Sequence, residues 1–300
     1  MKLATTQVNQ PLSLNLQLEQ NRLKYFYKVS MKKLLPALIL SLFVASLTGF
    51  SPARAQLPLP PQAGIIDQLD QLVGRWVSSD VVAPSPEIKL PEHDPNKVVY
   101  LTFDDGPDPR WTPKIVELLQ KYNARGTFFM VGKNAASYPQ VVKDMALAGQ
   151  TFGNHSYNHA HIANYSYTDF RAEVDDTTEA IERALGDDPE LKRLVTPCLR
   201  PPYGEVSPSF YSHAASMGLW ISFWSLDTED WKNPDPQEVI QKVIEKVKPG
   251  SIILMHDGGE KRETTLKSLA LILHELSQQG YSFAPLCTEA GMMAEVSYEN

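Results

Sequence analysis

Cysteine is almost missing from these 300 residues, since only Cys198 and Cys287 occur. That excludes a disulfide-rich scaffold. The two lie on different predicted elements, and nothing in the sequence brings them together. A core of about 200 residues needs no staple, so we expect two unpaired thiols. Long apolar runs are just as scarce. The one run, 34–50, is short for a membrane span. Met31-Lys32-Lys33 precedes it and Ala53-Arg54-Ala55 follows, just before Gln56. A basic start, an apolar centre and small residues at −3 and −1 predict a signal peptide over 31–55, cleaved after Ala55. An uncleaved anchor is the competing reading, disfavoured by the run's length and by its flank. Residues 1–30 carry no such pattern and are taken as a doubtful extension, with translation beginning at Met31.

Basic residues are thin beyond the leader. Residues 1–55 hold seven Lys/Arg against one Asp/Glu, leaving 21 basic and 34 acidic residues and a net charge of −13 in the mature part. Such a surface argues against nucleic acid or an anionic membrane as partner and suits a neutral glycan. No internal repeat and no low-complexity segment occurs. The mature protein is expected to be a monomer without stable membrane insertion.

Residues 56–96 contain seven prolines. Between them Ile65, Ile66, Leu69, Leu72, Val73 and Trp76 share one helical face, predicting a linker that carries one amphipathic helix and no chemistry. From Val98 onward the pattern alternates. Strand-like apolar runs fall at 98–103, 126–131, 151–154, 195–199, 219–225, 251–255 and 282–285. Helical periods fill the gaps near 112–122, 139–148, 168–185, 207–217, 236–247 and 263–278. Asp235, Pro236 and Glu238 mark the start of the fifth helix. Seven strands with intervening helices imply a parallel sheet, closed or nearly closed into a barrel, with active sites at the carboxyl ends of its strands.

The polar residues gather at those ends. Val98–Phe103 stops at Asp104-Asp105-Gly106-Pro107, a turn signal. Inside a strand the two carboxylates would point to opposite faces. At a strand end, with Gly106 freeing the backbone to bend, both reach one pocket. The 151–154 run leads into His155-Ser156-Tyr157-Asn158-His159, two histidines at a spacing that meets on one side of a helical turn. With one carboxylate from the first strand they predict a two-His, one-carboxylate metal site with open positions. His161 is a possible substitute ligand but reads better as a loop residue, and His93, His213 and His274 read as surface or packing histidines. Arg200-Pro201-Pro202-Tyr203-Gly204 follows the next run, its prolines holding Arg200 rigidly, as a bidentate carboxylate partner requires. Then come Asp227-Thr228-Glu229-Asp230-Trp231 and Leu254-Met255-His256-Asp257, the latter presenting a general-acid candidate. Each piece alone has a bland reading as a salt bridge, a cap or a polar loop. Five on five strand ends do not.

These five segments, in this order and over roughly 97–290, resemble the motifs of NodB-type polysaccharide deacetylases, carbohydrate esterase family 4. The resemblance implies a distorted (β/α) barrel of seven or eight parallel strands for a catalytic domain at 97–290, with 291–300 as a tail. By the resemblance Asp104 would be the general base, oriented by Arg200, and Asp105, His155 and His159 would hold one divalent metal, zinc first, with cobalt or another divalent ion as alternatives. The backbone N–H of Tyr203 would help hold the oxyanion, His256 tuned by Asp230 would be the general acid, and Trp231 and Leu254 would wall an acetyl pocket. The implied activity is a secreted, periplasmic or cell-envelope N-deacetylase. Its substrate would be an acetylated polysaccharide containing N-acetylglucosamine, peptidoglycan or chitin-like, and acetate would be released. The alternatives are an O-acetyl (xylan-type) esterase and an inactive carbohydrate-binding homologue.

Overall fold

A computed structural model of the protein describes residues 94–259 and 261–288. The expected leader and signal peptide, the helix near 65–76, His93 and the tail lie outside the described residues.

Strand β1 (Val98–Asp104) is the centre of the sheet. Its alternation divides the molecule. Val99, Leu101 and Phe103 enter the large apolar core under the helices, while Tyr100, Thr102 and Asp104 take the opposite, inner face. On one side of β1 lie β2 (Thr127–Met130), β3 (Thr151–Asn154), β4 (Val195–Leu199) and β5 (Trp220–Ile221). On the other lie β7 (Ile252–His256) and then β6 (Leu226–Asp227), and all pairs are parallel. Strand β8 (Ser282–Phe283) pairs with Val98 and Val99 at the start of β1.

The run at 219–225, expected as one strand, is two short strands. Ser222 N–H bonds Leu199 O on β4, and Ser225 N–H bonds Ile252 O on β7. Within three residues the chain therefore leaves one edge of the sheet for the other, which no single strand can do. The sheet curls until this short link spans its two edges, and no ladder joins β5 to β6 among the described residues. The result is the distorted (β/α) barrel expected, with eight parallel strands.

Around it run α1 (Thr112–Lys121), α2 (Gly132–Ser137), α3 (Pro139–Leu147), α4 (Tyr167–Leu185), α5 (Pro189–Lys192), α6 (Pro208–Ser216), α7 (Pro236–Lys246) and α8 (Glu263–Gln278). The six expected helices are present. Asp235 caps α7 by accepting the Gln237 N–H at 2.8 Å, and Leu266, Leu269, Ala270, Leu273 and Leu276 form the buried stripe of α8. The helices α2 and α5 had no sequence signal because neither has an apolar face: α2 buries Gly132 and Ala135, and α5 buries nothing.

The cysteines correct the expectation of free thiols, because Cys198 and Cys287 form a disulfide with their Cα atoms 6.2 Å apart. The cause is the segment after β8, which passes under the barrel. Leu286 N–H donates to Thr127 Oγ1 at 2.8 Å, and Leu286 packs with Tyr100, Phe129 and Cys198. That carries Cys287 to the inner face of β4. Residues 284–287 belong to no element with a periodic pattern, so the sequence could not show it.

Candidate active site

Inner-face residues stack upward from this apolar floor to the carboxyl ends of the strands. Arg200, just past β4, is fully buried. Its guanidinium donates to Thr102 Oγ1 and Asp104 Oδ1, both at 2.8 Å, and to Phe223 O at 3.0 Å, and it lies 4.0 Å over the Phe129 ring. Arg200 was expected to grip a carboxylate with two N–H groups; in the structure only Nη1 reaches Asp104, while Nη2 donates to the Phe223 carbonyl. Burial pushes the Asp104 carboxyl above its ordinary range, opposed first by Arg200 and then by His256. Arg200 and His256 favour the charged carboxylate, and burial, the larger effect, favours its protonation.

Asp105 sits where the strand ends. The bend is at Asp105 itself, with φ 74°, and not at Gly106 as expected. Asn134 Nδ2 holds this left-handed residue by donating to Asp105 O at 2.8 Å. Gly106 is required for another reason: a Cβ there would run into the Asp257 carboxyl. The turn therefore directs Asp105 Oδ1 into the same site as Asp104. This oxygen is buried and, among the described residues, has no hydrogen-bond donor.

His155 and His159 lie in a loop after β3 rather than on a helical turn. Ser156 (φ 62°) and His159 (φ 55°) curl the backbone, and Glu173 on α4 accepts the N–H groups of Tyr157 at 2.7 Å and Asn158 at 2.9 Å. Nε2 of His155 and of His159 stand 3.6 and 3.2 Å from Asp105 Oδ1. The ligand atoms of Asp105, His155 and His159 all lie within 4.8 Å of one another. His155 Nδ1 is 2.8 Å from the Arg200 carbonyl, which can only accept, so the proton is on Nδ1 and Nε2 is bare. Burial pushes His155 down to about 3, which keeps it neutral. A bare ring nitrogen cannot hydrogen-bond a carboxylate. A buried orphan carboxylate oxygen facing it is a donor set that fits a divalent cation.

His256 ends β7 opposite Asp104 in the ladder. Asp230 Oδ1 is 2.7 Å from its Nδ1, and Asp230 Oδ2 accepts the His256 N–H at 2.9 Å and the Thr265 hydroxyl at 2.6 Å. Burial pushes His256 down, but the hydrogen bond and charge of Asp230, with Asp104 and Asp105 behind it, outweigh this and lift it to about 9. Burial likewise pushes Asp230 up, and its bonds from His256 and Thr265 hold it below the ordinary range. Leu254 is buried one inner position below His256, and Trp231 is exposed at the rim. Tyr203 stands at the mouth in a left-handed conformation, φ 61°.

A model of the family described as polysaccharide deacetylase matches residues 92–221. The chain is 37% identical over 190 residues to a peptidoglycan-N-acetylglucosamine deacetylase of Bacillus cereus, covering 62% of this chain and 85% of the relative. It is 30% identical over 199 residues to a chitooligosaccharide deacetylase of Azorhizobium caulinodans, covering 63% and 92%. Among solved structures, a family 4 carbohydrate esterase from Streptomyces lividans in complex with acetate is 33% identical and superposes with a TM-score of 0.56 over 63% of this chain and 92% of that one. The chain belongs to the polysaccharide deacetylase family. Its enzyme class is a hydrolase of linear amide bonds.

Every site residue named from the sequence of this deacetylase lies at or near the carboxyl end of the barrel. His161 instead pairs with Glu205 at 2.9 Å on the surface. The sequence reading missed the residues that hold the others: Thr102, Asn134, Glu173 and Thr265, single polar residues with no motif of their own. It also passed over Asp257. This carboxyl is fully buried, accepts from the Thr112 hydroxyl at 2.5 Å and packs on Gly106 behind the Asp104-Asp105 turn. Burial, reinforced by Asp105 and Asp104, pushes it up to about 7. Its signal was present, a second carboxylate beside His256, but in sequence it resembles an ordinary loop aspartate.

Proposed function

We propose that the protein is a metal-dependent N-deacetylase of a polysaccharide containing N-acetylglucosamine, peptidoglycan or chitin-like, releasing acetate and leaving a free amine. The observation that carries the reading is the pairing of Asp104 with His256 across β1 and β7, beside the Asp105–His155–His159 cluster. The relatives named above supply the substrate class.

Asp105, His155 and His159 would hold one divalent ion, zinc first, with cobalt as an alternative. Such an ion supplies Lewis acidity, acidifying water and polarising an acetamide carbonyl. Asp104 takes the proton of the attacking water, oriented for this by Arg200. The backbone N–H of Tyr203 faces the developing oxyanion. His256, kept as the imidazolium by Asp230, gives its proton to the departing nitrogen. Trp231 and Leu254 wall the methyl group of the acetyl.

We assign the catalytic domain to 97–290 and a cleaved signal peptide to 31–55, giving an exported monomer. No helix among the described residues is long and apolar enough to cross a membrane. N-terminal sequencing of exported protein should begin at or near Gln56, and an intact 31–55 segment would favour the anchor instead. The activity is tested by acetate release from peptidoglycan, chitin oligomers, poly-N-acetylglucosamine and acetylxylan, before and after chelation and zinc add-back. Release from acetylxylan alone would replace the amidase reading by the esterase. Absence of release from all four, with zinc bound, would leave the inactive carbohydrate-binding homologue.

A further inference from the structure

We infer that the side chain of Tyr203 is a positioning residue for His159. Its phenol oxygen accepts the Nδ1 proton of His159 and so leaves Nε2 bare towards Asp105, while His161, tied to Glu205, keeps the phenol ring in place. The inference rests on the metal-site reading above and deepens it.

The hydrogen-bond inventory around the phenol closes one way. Tyr203 Oη lies 3.2 Å from the His159 backbone carbonyl and 3.1 Å from His159 Nδ1. A carbonyl only accepts, so both contacts are hydrogen bonds at once only when the one phenolic proton goes to it. The phenol oxygen then has a lone pair and no proton for Nδ1, and Nδ1 must be the donor. This is the service that the Arg200 carbonyl performs for His155, delivered here by a side chain. It matters because a histidine side chain free in water favours the proton on Nε2, the nitrogen that must be bare to bind a cation. His159 is the more exposed of the two histidines, and among the described residues its Nδ1 meets the Tyr203 phenol rather than a backbone carbonyl.

The phenol is held as such a role requires. Tyr203 is 56% exposed, and an exposed tyrosine would ordinarily sample several rotamers. Here the His161 ring stacks on it at 4.1 Å and 16°, and His161 Nδ1 meets Glu205 Oε2 at 2.9 Å. The His159 ring meets it edge-on at 4.6 Å. The backbone of Tyr203 is left-handed, φ 61° and ψ 5°, a conformation that glycine adopts without strain and a tyrosine does not. Glycine would relax the turn and lose the phenol.

The test compares Tyr203→Phe, His161→Ala and His159→Ala in the full chain. The His159 tautomer is read from nitrogen-15 shifts of the metal-free protein, and zinc affinity from competition with a chromophoric chelator. Tyr203→Phe keeps the ring and removes one oxygen. It should move the His159 proton towards Nε2 and weaken zinc about 10- to 100-fold, the usual effect of losing the partner of a ligating histidine. His161→Ala should weaken zinc in the same direction by less. Zinc affinity within twofold of wild type in Tyr203→Phe, with the tautomer unchanged, overturns the inference while the metal site stands. Zinc binding as tight in His159→Ala as in wild type would instead remove the metal site.

Discussion

Asp104 and His256 are register partners on adjacent parallel strands, β1 and β7. The two side chains therefore stand at one height on the inner face, each biased by the other's charge: His256 favours the ionised form of Asp104, and Asp104 favours the protonated form of His256. Their wider surroundings push both titrations upward, Asp104 through burial and His256 through Asp230.

The pH profile follows from this pair. Activity should rise as Asp104 loses its proton, above the ordinary carboxylate range, and fall as His256 loses its proton near pH 9. Asp230→Asn should move the falling limb of kcat/KM towards neutral pH. A limb that stays in place would mean that another group sets it. The same shift acts on stability. The folded pKa of His256 is raised, so its contribution is full below about pH 6.5 and is lost as the pH climbs through about 9. Urea midpoints at pH 6 and pH 10 should separate less in Asp230→Asn than in wild type.

The roles proposed for the paired aspartates differ. Asp104→Asn should retain zinc, because Asp105, His155 and His159 are untouched, while activity falls by roughly two or more orders of magnitude, as for loss of a general base. Asp105→Asn should weaken zinc and lose activity through it. Metal analysis of both variants decides: equal loss of zinc would erase the distinction between base and ligand.

How legible all this was depends on range. Strands and long helices declared themselves through local periodicity, and α7 even through its cap at Asp235. Five chemical clusters were legible because each ends an apolar run, and barrel topology brings such ends together. What escaped depended on contacts distant in sequence. Asp105 is held in its bend by a hydrogen bond from Asn134, with the Asp257 carboxyl packed on Gly106 beside it, and His159 is placed by Glu173 and Tyr203. The strand expected at 219–225 divides because two separate strands compete for its backbone. None of these partners lies within a helical turn of the residue it holds.

The disulfide makes a separate prediction. It closes a loop across 89 positions and fastens the floor of the barrel to β4, two residues before Arg200. Replacing both cysteines with serine should cost about 2–5 kcal/mol. For a domain of this size a loss of 1 kcal/mol lowers the melting temperature by about 2–4 °C, so a fall on the order of 10 °C is expected. Calorimetry under oxidising conditions measures it. An unchanged melting temperature would show that the packing of Leu286 suffices without the bond.

The last prediction concerns the scissile bond. An amine anion is a far worse leaving group than a sugar alkoxide, so collapse of the tetrahedral intermediate depends on proton delivery chiefly for N-acetyl substrates. The proposed donor, His256, has its Nδ1 held by a buried carboxylate at 2.7 Å and its pKa lifted to about 9. An ester can also use an acid, so the apparatus alone does not separate the two reactions. His256→Ala does. It should depress turnover of an N-acetylglucosamine oligomer much more than turnover of an aryl acetate, whose leaving group needs no proton. The ratio of the two losses then measures the proton transfer itself, because damage to the metal site or to the oxyanion contact would reduce both alike. Equal losses would transfer His256 from the leaving group to the geometry of the site and give the esterase equal standing.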